Sequence, residues 1–149
     1  KFKMKQDLAK DNPYMKMVIN ILRTGNILDR RVSNVLKPFD ITHIQFNILR
    51  ILEAVSPEKL SAGEINKGLL FPTSDVTRLI DRLEKRKLVS RTICKENRRK
   101  MDIAITDKGL QVIESSLPEI DRELESFYKN KISSKERDLV MDVLKRINK

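Results

Sequence analysis

The stretch that decides the fold is PTSDVTRLIDRL (Pro72–Leu83), with LVSRTICKENRRKMDIAI (Leu88–Ile105) close behind it. In the first segment, apolar residues recur at the i, i+3, i+4, i+7 spacing of one helix face: Val76, Leu79, Ile80 and Leu83. The opposite face carries hydrogen-bond donors: Thr73, Ser74, Thr77 and Arg78. This pattern predicts a helix that packs on a core through one face and presents polar groups on the other.

The second segment predicts a basic β-hairpin. Two β-like runs, Leu88–Ile93 and Met101–Ile105, flank a loop with four cations in six residues: Lys95, Arg98, Arg99 and Lys100. A polar helix face followed by a basic hairpin is typical of a winged helix-turn-helix, in which the helix enters the major groove of DNA and the hairpin tip enters the minor groove. The sequence therefore predicts a protein that binds double-stranded DNA.

The positive charge of the chain is concentrated at this motif. The net charge is +10, and the stretch from Pro72 to Met101 holds ten Lys or Arg against four Asp or Glu, so +6 lies in about a fifth of the length. A solvated basic surface would explain a diffuse excess better than a focused one. The focused excess favours a nucleic-acid footprint.

Composition and length indicate the number of domains and the cellular compartment. With 149 residues, 35% charged residues and no Trp, we expect one helix-rich domain, residues 1–149. No apolar run approaches the roughly 20 residues of a membrane span, and the single Cys94 cannot form an internal disulfide, so we expect a cytoplasmic protein without a membrane partner.

Helix starts along the chain are marked by capping signals. Asn12-Pro13 predicts the first helix, which should stop near Lys37-Pro38. Capping boxes begin at Thr42, Ser61 and Ser133, and Thr106 is a plausible cap for the fifth helix. The boundary between the third and fourth helices is expected around Phe71-Pro72. The last helix is expected to bury its apolar residues, Leu139, Val140, Val143, Leu144 and Ile147.

The fifth helix carries a second apolar pattern. Its residues are spaced 3, 4, 3, 4 and 3 apart, which is a two-per-heptad seam: Leu110, Ile113, Leu117, Ile120, Leu124 and Phe127. The stripe could face the chain's own core, but the winged unit is complete by residue 106, so we expect it to face a second subunit. Pro118 should kink or restart this helix.

These residues resemble the MarR family of bacterial transcription regulators. The resemblance is closest from Leu60 to Gly109, where LSAGEI (residues 60–65), VTRLIDRLE (76–84), LVSR (88–91), Arg98-Arg99 and ITDKG (105–109) follow one another at consistent spacing. It implies a mainly α fold: a winged helix-turn-helix over 42–106 with a two-stranded wing, and helical dimerisation regions at 12–37 and 107–149.

The resemblance also implies a function. Members of the family are homodimers, mostly repressors, whose first, fifth and sixth helices interlock while each subunit offers one winged helix to half of a palindrome. Many release DNA when a small aromatic or hydrophobic ligand binds. Here we expect such a ligand near Phe39, Phe46 and Leu49, although core packing explains these residues about as well.

This sequence departs from the family pattern at three positions. Lys87 stands where a Gly is usual in the turn after the recognition helix, and Gly is the residue best suited to positive φ. Asn97 replaces an Asp before the wing arginine, so it cannot hold that arginine by charge. Asn66 replaces a small residue in the third helix. The second departure bears on the rigidity of the wing.

The individual DNA contacts leave alternatives open. The expected contacts are Thr73, Ser74, Thr77, Arg78, Arg82, Lys95, Arg98, Arg99 and Lys100. Thr77 and Arg78 are the best candidates for base edges, because more than half of protein–DNA hydrogen bonds go to phosphate and sugar. Arg78 could instead pair with Asp81 or Asp75 in its own helix. Arg99 aligns with the family's minor-groove arginine, and a phosphate contact is its alternative.

The residues give little support for redox activity, metal binding or catalysis. Basic neighbours could favour the thiolate of Cys94, but an unreactive strand residue is the simpler interpretation. One histidine, His43, and one cysteine do not make a metal site, and neither a catalytic triad nor a phosphate-binding glycine motif is present, so we expect no enzyme and no cofactor. The alternative function is a winged-helix module that binds another protein and has no sequence-specific DNA binding.

Overall fold

The structure is a computed structural model that describes residues 12–94 and 101–149. Its elements, in chain order, are α1 (Pro13–Leu36), a 3-10 turn (Lys37–Phe39), α2 (His43–Val55), α3 (Ala62–Gly68), α4 (Val76–Lys85), β1 (Val89–Ile93), β2 (Met101–Ile105), α5 (Asp107–Tyr128) and α6 (Ser134–Ile147). The expected mainly α fold with a two-stranded wing is confirmed.

The predicted helix starts are confirmed where a local cap specifies them. The Asn12 side chain accepts hydrogen bonds from the backbone N–H groups of the first turn of α1. The predicted capping boxes at Thr42, Ser61 and Ser133 are all formed, with both reciprocal hydrogen bonds in each. In the third box, hydrogen bonds from the backbone and side chain of Ser133 lower the pKa of Glu136 below its ordinary value.

The core lies where α2, α3, α4 and the hairpin meet. Its fully buried centre includes Ile48, Leu52, Ile65, Ile80 and Leu83. The two strands pair antiparallel with Val89 opposite Ile105 and Ile93 opposite Met101, as the predicted hairpin requires. An extra bridge joins Leu60 to Ile103, so the entry to α3 adds a backbone contact to the wing. The winged unit is therefore held together by both apolar packing and backbone pairing.

The apolar seam of α5 faces the chain's own core, which corrects the expectation that it faces a second subunit. Ile113 and Ile120 are buried within a single chain, and Leu117 and Leu124 pack against the same core. The physical reason is that α5 packs on α1 and α2 of the same chain, so these two helices cover the apolar seam. Leu110 and Phe127 are half-buried.

Pro118 does not restart α5, which is one helix from Asp107 to Tyr128. Nearby, the buried Ser116 hydroxyl donates to the carbonyl of Val112 at 2.6 Å. This bond satisfies a polar side chain that the core would otherwise leave without a partner. The seam is thus continuous across the proline.

The expectation that α6 buries its apolar residues is wrong for the single chain. None of its residues is buried, and Leu139, Val140 and Ile147 are 63%, 49% and 55% exposed. The first turns of α1 are similarly exposed, including Tyr14, Met17, Val18, Ile21 and Leu22. The periodicity correctly predicted that α6 has an apolar face, but few side chains of the same chain pack against that face. Within the described residues, no helix has the length and apolarity to cross a membrane.

Candidate nucleic-acid interface

Helix α4 presents one buried and one exposed face, as its periodicity predicts. Val76, Ile80 and Leu83 are buried in the core. On the other side, Thr77, Arg78 and Arg82 are exposed. A helix anchored by one side, with hydroxyl and guanidinium groups on the other, can place those groups in a major groove.

Thr73 and Ser74 lie before α4 and not on its face, which corrects the predicted start of the helix. The segment between Gly68 and Val76 is a turn in which the backbone N–H of Asp75 donates to the Thr73 hydroxyl at 3.2 Å. Such side-chain hydrogen bonds compete with the helix for the same backbone group. The turn therefore takes four residues that periodicity alone assigned to the helix.

Asn66 fixes this turn, a role that the sequence analysis missed. Its side-chain Oδ1 accepts the backbone N–H of Thr73 at 2.8 Å, which ties α3 to the residue beside the exposed face of α4. A smaller residue could not make this bond. The departure at Asn66 signalled the position, but its partner seven residues away could not be read from the sequence.

Arg91 joins the wing to α4, a second role that the sequence analysis missed. Its guanidinium lies 2.5 Å from Asp81 Oδ1 and 3.6 Å from Glu84 Oε2, and it donates to the Thr77 carbonyl at 3.4 Å. Asp81 is thus paired across elements. Arg78, for which an ion pair with Asp81 was an alternative, is exposed and has no salt bridge with any residue in 12–94 or 101–149.

The end of α4 forms a Schellman motif around Lys87. The N–H of Leu88 donates to the Leu83 carbonyl at 3.0 Å, and the N–H of Lys87 donates to the Glu84 carbonyl at 2.8 Å. Lys87 has φ 62, so the chain does adopt the positive φ for which Gly is best suited. Its carbonyl accepts the Thr106 hydroxyl at 2.7 Å, which fastens this turn to the start of α5.

The four basic wing residues lie outside the described part of the chain. Lys95, Arg98, Arg99 and Lys100, together with Asn97, remain predictions from the sequence. Cys94, directly after β1, is half-buried. The described residues contain no cluster of His, Cys, Asp and Glu able to hold a metal ion, and the ring of His43 instead lies 2.7 Å from Asp29 Oδ1.

The expected ligand residues lie in or against the core. Phe46 and Leu49 are buried, and Phe39 is half-buried and packed against the same cluster. Their packing agrees with the simpler of the two interpretations that the sequence left open. A ligand among them would have to displace packed side chains, so the ligand role stays a prediction.

Known proteins resemble this chain in the segment that forms the winged unit. The sequence model of the MarR family matches residues 39–100. The HTH-type transcriptional regulator PrsX of Escherichia coli is 31% identical over 93 residues, which are 62% of this chain and 56% of PrsX, so the match spans about half of that relative.

Solved structures extend the likeness to most of the chain. A MarR transcription factor from Planctomyces limnophilus is 27% identical and covers 93% of this chain and 97% of its own, with a TM-score of 0.66. The S. aureus MepR–DNA complex is 23% identical and covers 92% and 97%, with a TM-score of 0.76, and shares the fold. The likeness therefore includes the helices on both sides of the winged unit.

Proposed function

We propose that this chain is a member of the MarR family and a DNA-binding transcription regulator, acting as a repressor that binds a palindromic operator as a homodimer. The observation that carries the proposal is the exposed face of α4. It holds Thr77, Arg78 and Arg82 on a helix whose other face is buried. In the sequence, four cations lie between β1 and β2, the two strands that follow this helix. This arrangement supports the proposal that α4 enters the major groove and that the hairpin contacts the backbone or the minor groove.

The proposed homodimer is supported by the uncovered apolar faces of α1 and α6. Large exposed apolar patches mark interaction surfaces in soluble proteins. Between α5 and α6, a groove of about 720 Å³ is lined by Leu124, Ile132, Val140, Met141 and Leu144, among others. A two-fold dimer would cover such faces and present two copies of α4, which matches the symmetry of a palindrome.

Release from DNA by a small hydrophobic or aromatic ligand is part of the proposed function. It depends on the family resemblance and on the apolar residues Phe39, Phe46 and Leu49, whose packing is equally that of a core. A panel of phenolic compounds should raise the melting temperature and release DNA. If no compound does either, the ligand part should be dropped.

Salt-dependent DNA binding tests the proposal. If the dimer neutralises about six to ten phosphates, affinity for a selected operator should fall by ~10³–10⁵ between 50 and 200 mM salt. Footprinting should find half-sites about one helical turn, ~10 base pairs, apart or a multiple of it. No salt-dependent shift on any genomic fragment would favour the alternative, a protein-interaction module.

A matched pair of variants locates the interface. Arg78→Gln removes one exposed cation from α4, and Lys145→Gln removes one exposed cation from α6. Arg78→Gln should weaken binding and, if its contact is to phosphate, make the salt dependence shallower by about two units of slope, one for each subunit of the proposed dimer. Lys145→Gln should change neither, and equal effects of the two would contradict a DNA surface on α4.

A further inference from the structure

Two large apolar side chains stand in solvent at the turn before α4. Leu70 is 72% exposed and Phe71 is 82% exposed. Phe71 is the most exposed of the large apolar side chains in residues 12–94 and 101–149. A phenyl ring left in water lacks about 1.5–3 kcal/mol of favourable free energy that burial would supply, so an exposed Phe at this position suggests a contact with another molecule.

The chain holds this turn on both sides, so the two side chains project from a fixed backbone. Leu69, immediately before them, is buried in the core. Thr73, two residues after Phe71, is bound to Asn66 through its backbone N–H at 2.8 Å. Pro72 between them restricts its own φ and disfavours a helical conformation of Phe71. The backbone on both sides of Phe71 is therefore held in place while its ring remains exposed to solvent.

The turn is continuous with the proposed DNA surface. Phe71 lies next to Pro72 and Thr73, and the exposed Ser74 and Thr77 follow at the start of α4. In helix-turn-helix proteins the first residues of the recognition helix are those that contact base edges. An apolar group at this end of α4 is therefore close to where base edges would lie.

The major groove offers one apolar group, the C5-methyl of thymine, and side chains such as Phe contact it. We propose that Phe71 contacts a thymine methyl in each half-site and makes thymine the preferred base there. This inference rests on the proposed function. A protein partner is the less favoured occupant, because the stretch from Pro72 to Met101 carries a net charge of +6, which suits a polyanion.

Replacing thymine by 2′-deoxyuridine tests the contact, because it removes the methyl and keeps the base pairing. The operator is first selected from random DNA with the full chain, and its thymines are then substituted one position at a time. At one position in each half-site, uridine should weaken binding of the wild-type protein by ~3–5-fold, the effect of one buried methyl. For Phe71→Ala the same substitution should have no effect.

Two controls separate a methyl contact from other effects. Phe71→Leu keeps an apolar side chain and should retain most of the sensitivity to uridine. Phe71→Ala should keep the melting temperature and the salt dependence of the wild type, because the ring is exposed and uncharged. If Phe71→Ala lowers the melting temperature, the comparison of uridine effects is made with Phe71→Gln, which keeps a long side chain without an apolar end and should also lose the sensitivity to uridine.

The results divide clearly between this inference and the function on which it rests. Absence of salt-dependent DNA binding by the wild type would overturn both. Specific binding with no uridine-sensitive position would overturn the Phe71 contact alone. Equal sensitivity in the wild type and Phe71→Ala would also overturn it, and another group such as Thr77 would then contact the methyl. Loss of sensitivity in Phe71→Ala, with most of it retained in Phe71→Leu, supports the inference.

Discussion

Lys87 occupies a backbone conformation that costs an L-residue about 1–2 kcal/mol, because its Cβ crowds the following carbonyl. Gly relieves that crowding but adds freedom to the unfolded chain, so Lys87→Gly should stabilise the protein by about 0.5–1 kcal/mol net. Urea unfolding measures the difference. Lys85→Gly is the matched control, since it removes the same charge from the last residue of α4 and should destabilise by up to ~1 kcal/mol.

Gly109 is required for a close approach between α5 and the turn after α4. A Cβ added there would lie 2.3 Å from the carbonyl oxygen of Leu88 and 2.7 Å from Cγ1 of Ile105. Gly109→Ala should therefore destabilise by about 1–3 kcal/mol, as overpacking does. In α1, a Cβ added to Gly25 meets nothing within 4 Å, so Gly25→Ala should stabilise by roughly 0.5–1 kcal/mol. Similar thermal shifts for the two variants would contradict the structure around Gly109.

At the scale of elements, Arg91 couples the wing to α4. Its side chain is only 18% exposed and faces Asp81 and Glu84, which would lie side by side without it. Arg91→Met should cost about 1–2 kcal/mol, within the range for hydrogen bonds to charged groups and reduced because Asp81 is partly exposed. Hydrogen exchange should locate the loss of protection at β1 and the adjoining turn of α4.

Arg82→Met is the control for this coupling. Arg82 is exposed and has no salt bridge with a residue of the described ranges, so its loss should change the free energy of unfolding by less than about 0.5 kcal/mol. Because Arg82 belongs to the proposed DNA surface, the same variant should weaken operator binding. If Arg82→Met destabilises as much as Arg91→Met, the ion pair with Asp81 does not carry the coupling.

At the scale of the whole molecule, two apolar surfaces are expected to behave differently when charged. Ile120 is buried within one chain, so Ile120→Glu should unfold the protein, since an unpaired buried charge costs several kcal/mol. Val140 is about half exposed on α6, so Val140→Glu should leave each chain folded and dissociate the proposed dimer. Sedimentation should then change from about twice the chain mass of 17.4 kDa to a single chain.

Circular dichroism beside the sedimentation run distinguishes the two outcomes. Lys145→Gln makes the same change of one negative unit in net charge on the exposed polar side of α6 and should remain dimeric. A wild-type protein that sediments as a 17.4 kDa monomer at micromolar concentration would rule out the homodimer. A Val140→Glu variant that stays dimeric would show that the interface lies elsewhere than on the exposed face of α6.

The sequence by itself determined the elements whose signals are local. The capping boxes at Thr42, Ser61 and Ser133 depend on bonds between residues three apart, so reading the residues in order is enough to find them. The amphipathic pattern of α4 and the positive φ expected at Lys87 are local in the same way. Together these local signals make the winged helix-turn-helix predictable from the residues alone.

Only the tertiary structure decided where each apolar stripe is buried and which polar groups meet. Periodicity marks an apolar face but does not say what covers it, so the α5 seam faces the core and α6 remains exposed. The bond from Asn66 to Thr73 and the pairing of Arg91 with Asp81 form across elements, where no spacing rule applies. Burial and long-range pairing depend on neighbours that folding brings together, and they become visible only when the chain is folded.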